Sequence, residues 1–256
     1  MSKHLQRDIE RLKINLLALG AMVEESVFRA VQAIEHWDGV LASRVIEEDH
    51  QIDQLELEVE EECLKILALH QPVATDLRFI VAVLKIDNDL ERIGDLAVNL
   101  AERALLLSRA ERIQTPFDLP GMAVKVQSML RRSLDAFVNL NAAAAREVCA
   151  ADDEVDQINR SMYSLVLGSL RQRPEQAESY VHLLTASRLL ERISDHATNI
   201  AEDVIYLVEG EIVRHQTWKY RPGPGGGLAS PSGGAHGGAS TGTSGGSPTS
   251  GSDRGR

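Results

Sequence analysis

A thirteen-residue phrase occurs twice in the chain, as LERIGDLAVNLAE at residues 90–102 and as LERISDHATNIAE at residues 190–202. A second pair of segments also matches, because VIEEDHQIDQL at residues 45–55 aligns with VCAADDEVDQI at residues 148–158. Self-similarity at a fixed offset is the signature of folds built from copies of one supersecondary unit. The chain is therefore expected to contain two copies of one unit.

Apolar residues recur at spacings of three and four along most of residues 4–214, which indicates amphipathic helices. In the first stretch they are Leu5, Ile9, Leu12, Leu16, Leu19, Val23, Val27 and Val31. Prolines interrupt the pattern at Pro72, at Pro174 and in TPFDLPG (115–121). The sequence predicts six helices, at residues 4–35, 42–70, 75–109, 121–142, 145–172 and 175–214.

Three helices on each side of a Pro/Gly hinge predict an all-α fold of two tandem three-helix bundles with long antiparallel helices. The first repeat is assigned to residues 1–114 and the second to residues 115–215. Residues 216–256 form a tail, in which residues 221–256 hold 13 of the 19 glycines and four of the eight prolines. Such a segment buries too little apolar surface to offset the entropy of ordering it, so we expect disorder.

The net charge of −11 is concentrated in the helical part of the chain. Residues 216–256 carry +3, from four Lys/Arg and one Asp, so residues 1–215 carry −14. This balance disfavours nucleic-acid binding, which needs clustered basic residues, and favours cations or a basic partner. Cys63 and Cys149 are expected to be buried thiols in a reducing compartment. With no apolar leader or membrane-length apolar run, the chain is predicted to be cytoplasmic.

The duplicated phrase places a stripe of polar side chains on one side of a helix. At about 100° per residue, Glu91, Asp95, Asn99 and Glu102 fall within about 80° of one another. The apolar residues lie close to the opposite side of the same helix, and they are Ile93, Ala97, Leu100 and Ala104. The stripe is therefore expected to face away from the bundle core.

An antiparallel hairpin would bring this stripe close to acidic pairs on the preceding helix. The expected clusters are Asp49 and Asp53 with Glu91 and Asp95, and Asp152 and Asp156 with Glu191 and Asp195. The alternative is an ordinary solvated helix face. However, like charges four residues apart in a helix repel, and Asp is a mediocre helix former. Both of these unfavourable features, the acidic pairs and the mid-helix Asp residues, occur in both repeats. All-oxygen ligands suit Mg²⁺, Mn²⁺, Ca²⁺ or carboxylate-bridged iron, so the clusters predict metal binding.

Two other functions remain open on the residues alone. A carboxylate-bridged iron protein with a redox or storage role would use Glu-x-x-His motifs that project inward. The chain has one such spacing, Glu47 to His50, and its second repeat has Ala150 and Asp153 there. The second open function is that of a helical scaffold whose acidic faces bind basic proteins without a metal. No nucleophile elbow, Walker loop or Rossmann glycine pattern is present, and the histidines of the last helix, His182 and His196, are expected to be ordinary.

The segment QPVATDLRFIVAVLKIDNDLERIGD (71–95), together with LERISDHATNIAE, resembles the PhoU family, the phosphate-specific transport accessory proteins of bacteria. The resemblance covers about residues 4–214. It implies two three-helix bundles related by pseudo-twofold symmetry, no enzymatic activity, and negative regulation of phosphate uptake and of the phosphate-starvation response. It further implies an adaptor between a phosphate ABC transporter and a sensor histidine kinase, and it loosely supports a homodimer.

The resemblance also implies that Glu/Asp-x-x-x-Asp motifs bind iron, magnesium, manganese or zinc. In this chain the expected ligands are Asp49, Asp53, Glu91, Asp95 and Asn99 in the first repeat and Asp152, Asp156, Glu191, Asp195 and Asn199 in the second. The next turn offers Glu56 and Glu60 in the first repeat but Asn159 and Tyr163 in the second. Although Glu202 and Asp203 add charge at its far end, the second site is expected to be less negative and to hold metal more weakly.

Overall fold

The computed structural model describes residues 3–211 and residue 213. Within them lie seven α-helices, one short 3-10 helix and no strand. The α-helices are α1 (Lys3–His36), α2 (Gly39–Glu48), α3 (His50–His70), α4 (Ala74–Leu107), α5 (Leu119–Val138), α6 (Ala142–Gln172) and α7 (Ala177–Glu209), and the 3-10 helix is Pro174–Gln176. The predicted disordered tail, residues 216–256, lies outside the described residues.

The helices pack as two bundles of the same design. Helix α1, the α2–α3 pair and α4 contact one another in the first repeat, and α5, α6 and α7 do so in the second. Between the repeats, α4 packs along α7 and α1 packs against α5. The prediction of two tandem three-helix bundles is confirmed. All described residues fall within one compact unit, and the division into domains at residue 114 stays a prediction.

The second helix of the first repeat was predicted to be continuous, and the structure divides it at Asp49. The backbone there keeps right-handed helical angles, with φ −57° and ψ −34°. Its carbonyl oxygen accepts from Ile52 N at 2.8 Å and from Asp53 N at 3.2 Å, which tightens this turn toward 3-10 geometry. The His50 Nδ1 atom lies 2.8 Å from the Glu47 carbonyl oxygen on the preceding turn. Helix α6 has no such interruption.

The turns that follow α1 and α5 show that the duplication extends to the first helices. Trp37 and Leu140 have left-handed φ values of 56° and 47°, although neither is glycine. In each turn the next residue donates its N–H back to a carbonyl five residues earlier, at 2.9 Å, as in a Schellman cap. Those next residues, Asp38 and Asn141, cap the following helix by accepting from backbone N–H groups.

The core consists of the apolar faces that the sequence pattern predicts. All eight residues of the α1 series are buried except Ile9, which is partly buried. Helices α1 and α5 approach closely at Gly20, where a Cβ atom would lie 2.9 Å from Leu134 Cδ1. Cys63 and Cys149 are buried free thiols, as predicted. None of the helices in the described part of the chain combines the length and apolarity needed to cross a membrane.

Candidate metal centre

The first acidic groove, defined by Asp49, Asp53, Glu91 and Asp95, lies where α3 packs against α4. Burial, followed by the negative charges of the other three carboxylates, raises the pKa of Asp49 to about 6. Burial also raises the pKa of Glu91, with Asp95 as the next largest cause. These carboxylates therefore sit close enough to disfavour one another's ionised form. The structure brings together the four residues that the spacing predicted.

An open space of about 730 Å³ adjoins this groove and is lined mainly by polar side chains. Asp53, Glu91, Asp95 and Asn99 all line it. The Asn99 amide donates its Nδ2–H to the backbone carbonyl of Asp95 at 2.7 Å, which places this side chain one turn further along the stripe. Arg192 of α7 lines the same space, so the second repeat contributes a positive charge to the first groove.

The second acidic groove, defined by Asp152, Asp156, Glu191 and Asp195, repeats this arrangement between α6 and α7. Burial, followed by the negative charge of Asp195, raises the pKa of Asp152 to about 6. The pKa values of Glu191 and Asp195 are raised by burial first and then by like charges. The second predicted set of four carboxylates also comes together.

The two grooves differ at the residue that immediately precedes Asp95 in the first repeat and Asp195 in the second. In the first repeat this residue is Gly94, where a Cβ atom would lie 3.7 Å from Asp49 Oδ1. In the second repeat it is Ser194, whose hydroxyl donates to the Glu191 carbonyl at 2.6 Å. Arg160 also pairs with Asp156 at 3.4 Å. The second groove is thus partly neutralised by its own side chains.

Asn199 was predicted to extend the second groove, but its amide faces α4. Its Nδ2 atom donates to Asp89 Oδ1 at 3.2 Å, and His196 Nδ1 lies 2.7 Å from the same oxygen. Beside them, Lys85 Nζ donates to Asp203 Oδ1 at 2.8 Å. This polar network links α4 to α7. The amide nitrogen of Asn199 is hydrogen-bonded to Asp89 in this structure. The role of Asn199 as a metal ligand stays a prediction.

The sequence reasoning missed one carboxylate of the first repeat, Asp87. It lies four residues before Glu91 on the same stripe, yet it is only 2% exposed. Its Oδ1 atom is buried without a hydrogen-bond partner. Burial, followed by the charges of Glu56, Glu60 and Glu91, raises its pKa to about 8. The spacing of four residues between Asp87 and Glu91 would have placed Asp87 on the same side of the helix as the predicted ligands.

The chemistry of both grooves suits a hard cation. Their predicted ligands are oxygen donors, and Oδ1 of Asp152 is buried without a hydrogen-bond partner. Among residues 3–211 and 213, however, no three His, Cys, Asp or Glu side chains converge as placed on one coordination point. Binding therefore requires rotation of Asp and Glu side chains around the fixed helices.

The single Glu-x-x-His spacing does not form a site inside the bundle. Glu47 and His50 are both exposed, and His50 Nδ1 lies close to the Glu47 backbone carbonyl. The inward ligand geometry of the iron carboxylate bundles is therefore not formed by this pair.

The fold and the grooves define a class of protein: a duplicated three-helix bundle with an acidic groove on each repeat. The family model for the PhoU domain matches residues 16–104 and again residues 119–204. The chain therefore belongs to the PhoU family.

Relatives and solved structures agree with this assignment. The chain is 39% identical over 216 residues to a phosphate-specific transport system accessory protein PhoU homolog of Pseudomonas aeruginosa, covering 84% of this chain and 89% of the relative. A homolog of Aquifex aeolicus is 36% identical over 212 residues, 83% of this chain and 96% of the relative. The crystal structure of PhoU from Pseudomonas aeruginosa superposes with a TM-score of 0.78, covering 80% of this chain and 99% of that one. The crystal structure of the phosphate transport system regulatory protein PhoU from Streptococcus pneumoniae superposes with a TM-score of 0.76 at 30% identity, covering 82% of this chain and 99% of that one.

Proposed function

We propose that this protein is a cytoplasmic accessory protein of phosphate transport and a negative regulator of phosphate uptake and of the phosphate-starvation response. The relatives named as phosphate-specific transport system accessory proteins support the first part, because the match extends over both repeats. The observation that carries the proposal is the pair of matching acidic grooves within the two PhoU-domain segments.

The protein acts as an adaptor rather than as an enzyme. It binds a phosphate ABC transporter and a sensor histidine kinase, so that the state of the transporter reaches the kinase. Long helices with exposed residues on both repeats offer surface for two partners at once. We also expect the chain to form a homodimer. Sedimentation velocity, which measures the mass of the particle in solution, tests this prediction.

Each groove binds a cation in this proposal. Asp49, Asp53, Glu91 and Asp95 hold one ion or cluster, and the four equivalent carboxylates of the second repeat hold the other. The oxygen-only ligand sets favour Mg²⁺, Mn²⁺ or iron over Zn²⁺, which is bound mostly through Cys and His. A bound cation neutralises the repulsion between these carboxylates and changes the charge that the groove presents to a partner.

Complementation of a strain that lacks the gene tests the regulatory role. Uptake of radiolabelled phosphate should rise in the deletion strain, and the wild-type protein should restore repression. A variant with Asp95→Asn and Asp195→Asn should fail to restore it. The matched control, Glu61→Gln with Asp153→Asn, changes two exposed acids outside the grooves and should behave as wild type. Unchanged uptake in the deletion strain would refute regulation, and full complementation by the groove variant would refute the role of the cations.

A further inference from the structure

The contact between the two repeats contains a buried histidine that lies apart from both acidic grooves. Helix α4 packs along α7, and Lys85 of α4 pairs with Asp203 of α7 at 2.8 Å. Further along the same two helices, His196 Nδ1 lies 2.7 Å from Asp89 Oδ1. This order shows that the helices run antiparallel. It places His182, which is near the start of α7, beside the C-terminal half of α4.

The ring of His182 is buried without satisfying its polar atoms. The side chain is 14% exposed, and neither Nδ1 nor Nε2 has a hydrogen-bond partner. Glu178 Oε1 lies 3.9 Å from Nε2, which is too long for a hydrogen bond, and the Glu178 side chain is largely exposed. Because a buried polar group without a partner is costly, and a buried charge more so, this site tolerates only the neutral ring.

Two charged groups act on His182. Burial, followed by the positive charge of Arg103 on α4, lowers its pKa below 6.5, and the charge of Glu178 acts in the opposite direction. The Arg103 guanidinium pairs with Glu102 on its own helix at 3.2 Å. Among the described residues, α5, α6 and the 3-10 helix supply no charge that contributes to this shift. An imidazolium here would therefore face a cation on α4, with no carboxylate oxygen within hydrogen-bond distance.

The first repeat has no ionisable group at the equivalent position. At the offset of one hundred residues, Ala82 stands where the second repeat has His182, and it is fully buried. By the same offset, Asp203 corresponds to Arg103, and it pairs with Lys85 across the helices. One part of the α4–α7 contact thus holds a complementary ion pair, whereas the equivalent part holds an imidazole beside a cation.

We propose that protonation of His182 weakens the contact between the two repeats, so that acidification loosens the N-terminal turns of α7 (residues 177–185) from α4. The imidazolium needs water or a carboxylate, and it reaches them when these turns move away from α4. The stabilisation is fully present above pH 6.5 and is lost as the pH falls through the lower pKa of the folded chain. The inference goes beyond the proposed function, since it requires neither a cation nor a partner.

Amide hydrogen exchange of the full chain, measured by mass spectrometry with a chelator present, tests this proposal. The comparison is with His182→Leu, whose side chain never ionises. The protection of residues 177–185 in wild type, relative to this variant, should fall at least about fivefold between pH 7.5 and pH 5. Residues 21–33 of α1, a helix that does not contact α7, should show no such fall. His36→Gln changes an exposed histidine and is the matched control, which should behave as wild type.

Two results would overturn the proposal. The first is a ratio for residues 177–185 that stays the same at both pH values. The second is an equal fall in the residues of α1, because it would show general destabilisation of the chain rather than loosening of α7. If His182→Leu does not fold, His182→Gln replaces it as the variant that does not ionise, and the same two results decide.

Discussion

The buried carboxylate of Asp87 gives a prediction whose magnitude follows from its surroundings. Burial and the charges of Glu56, Glu60 and Glu91 raise its pKa from 3.8 to about 8. The folded state therefore holds this proton more tightly than the unfolded state does. The resulting stabilisation is fully present below pH 3.8, and it is lost as the pH rises toward 8.

Asp87→Asn removes this dependence, because an amide of nearly the same size stays neutral at every pH. One pKa unit corresponds to about 1.4 kcal/mol, so the variant should gain up to about 4 kcal/mol relative to wild type between pH 4.5 and pH 7.5. Urea unfolding followed by circular dichroism at 222 nm, with a chelator present, measures the difference at both pH values.

Glu61→Gln is the control for this series. Its side chain is exposed, so its difference from wild type should be nearly the same at pH 4.5 and pH 7.5. A difference between Asp87→Asn and wild type that does not change with pH would refute the reasoning, because it would mean that Asp87 keeps an ordinary pKa in the folded chain.

The grooves, the repeat interface and the core each give a further prediction. Protons compete with cations at Asp49 and Asp152, whose pKa values are raised to about 6, so Mn²⁺ affinity measured by calorimetry should fall below that pH; constant affinity down to pH 5 would contradict this. Asp203→Ala removes the buried carboxylate that accepts a hydrogen bond from the partly exposed Lys85 and should cost about 2 kcal/mol in urea unfolding, whereas a loss under about 0.5 kcal/mol would show that the pair contributes little. Phe137→Ala empties a buried site stacked on another ring and should cost about 3–5 kcal/mol by the same assay, with a cost below 1 kcal/mol as the contrary result.

The helices were predictable because each is long and its apolar face recurs every three to four residues. Ile93, Ala97, Leu100 and Ala104 were predicted opposite the acidic stripe, and all four are completely buried. The division at Asp49 was not predictable from periodicity. It depends on hydrogen bonds of a single turn, and the apolar pattern continues through it.

The candidate sites were predictable to the extent that they depend on spacing within one helical hairpin. Both sets of four carboxylates follow from the i, i+4 spacing and from the antiparallel return of the chain. The hydrogen bond between Asn199 and Asp89 could not be predicted from this spacing, because Asp89 lies on a helix of the other repeat, 110 residues away. Asp87 was on the stripe, but its burial results from the packing of α3 over α4.

Both acidic grooves are proposed to bind cations. Crystals grown with Mn²⁺ and measured on either side of the manganese absorption edge test it most directly. We expect anomalous peaks between Asp49, Asp53, Glu91 and Asp95 and between the four equivalent carboxylates of the second repeat. Fully bound Mn²⁺ in solution with no anomalous peak in either groove would contradict it.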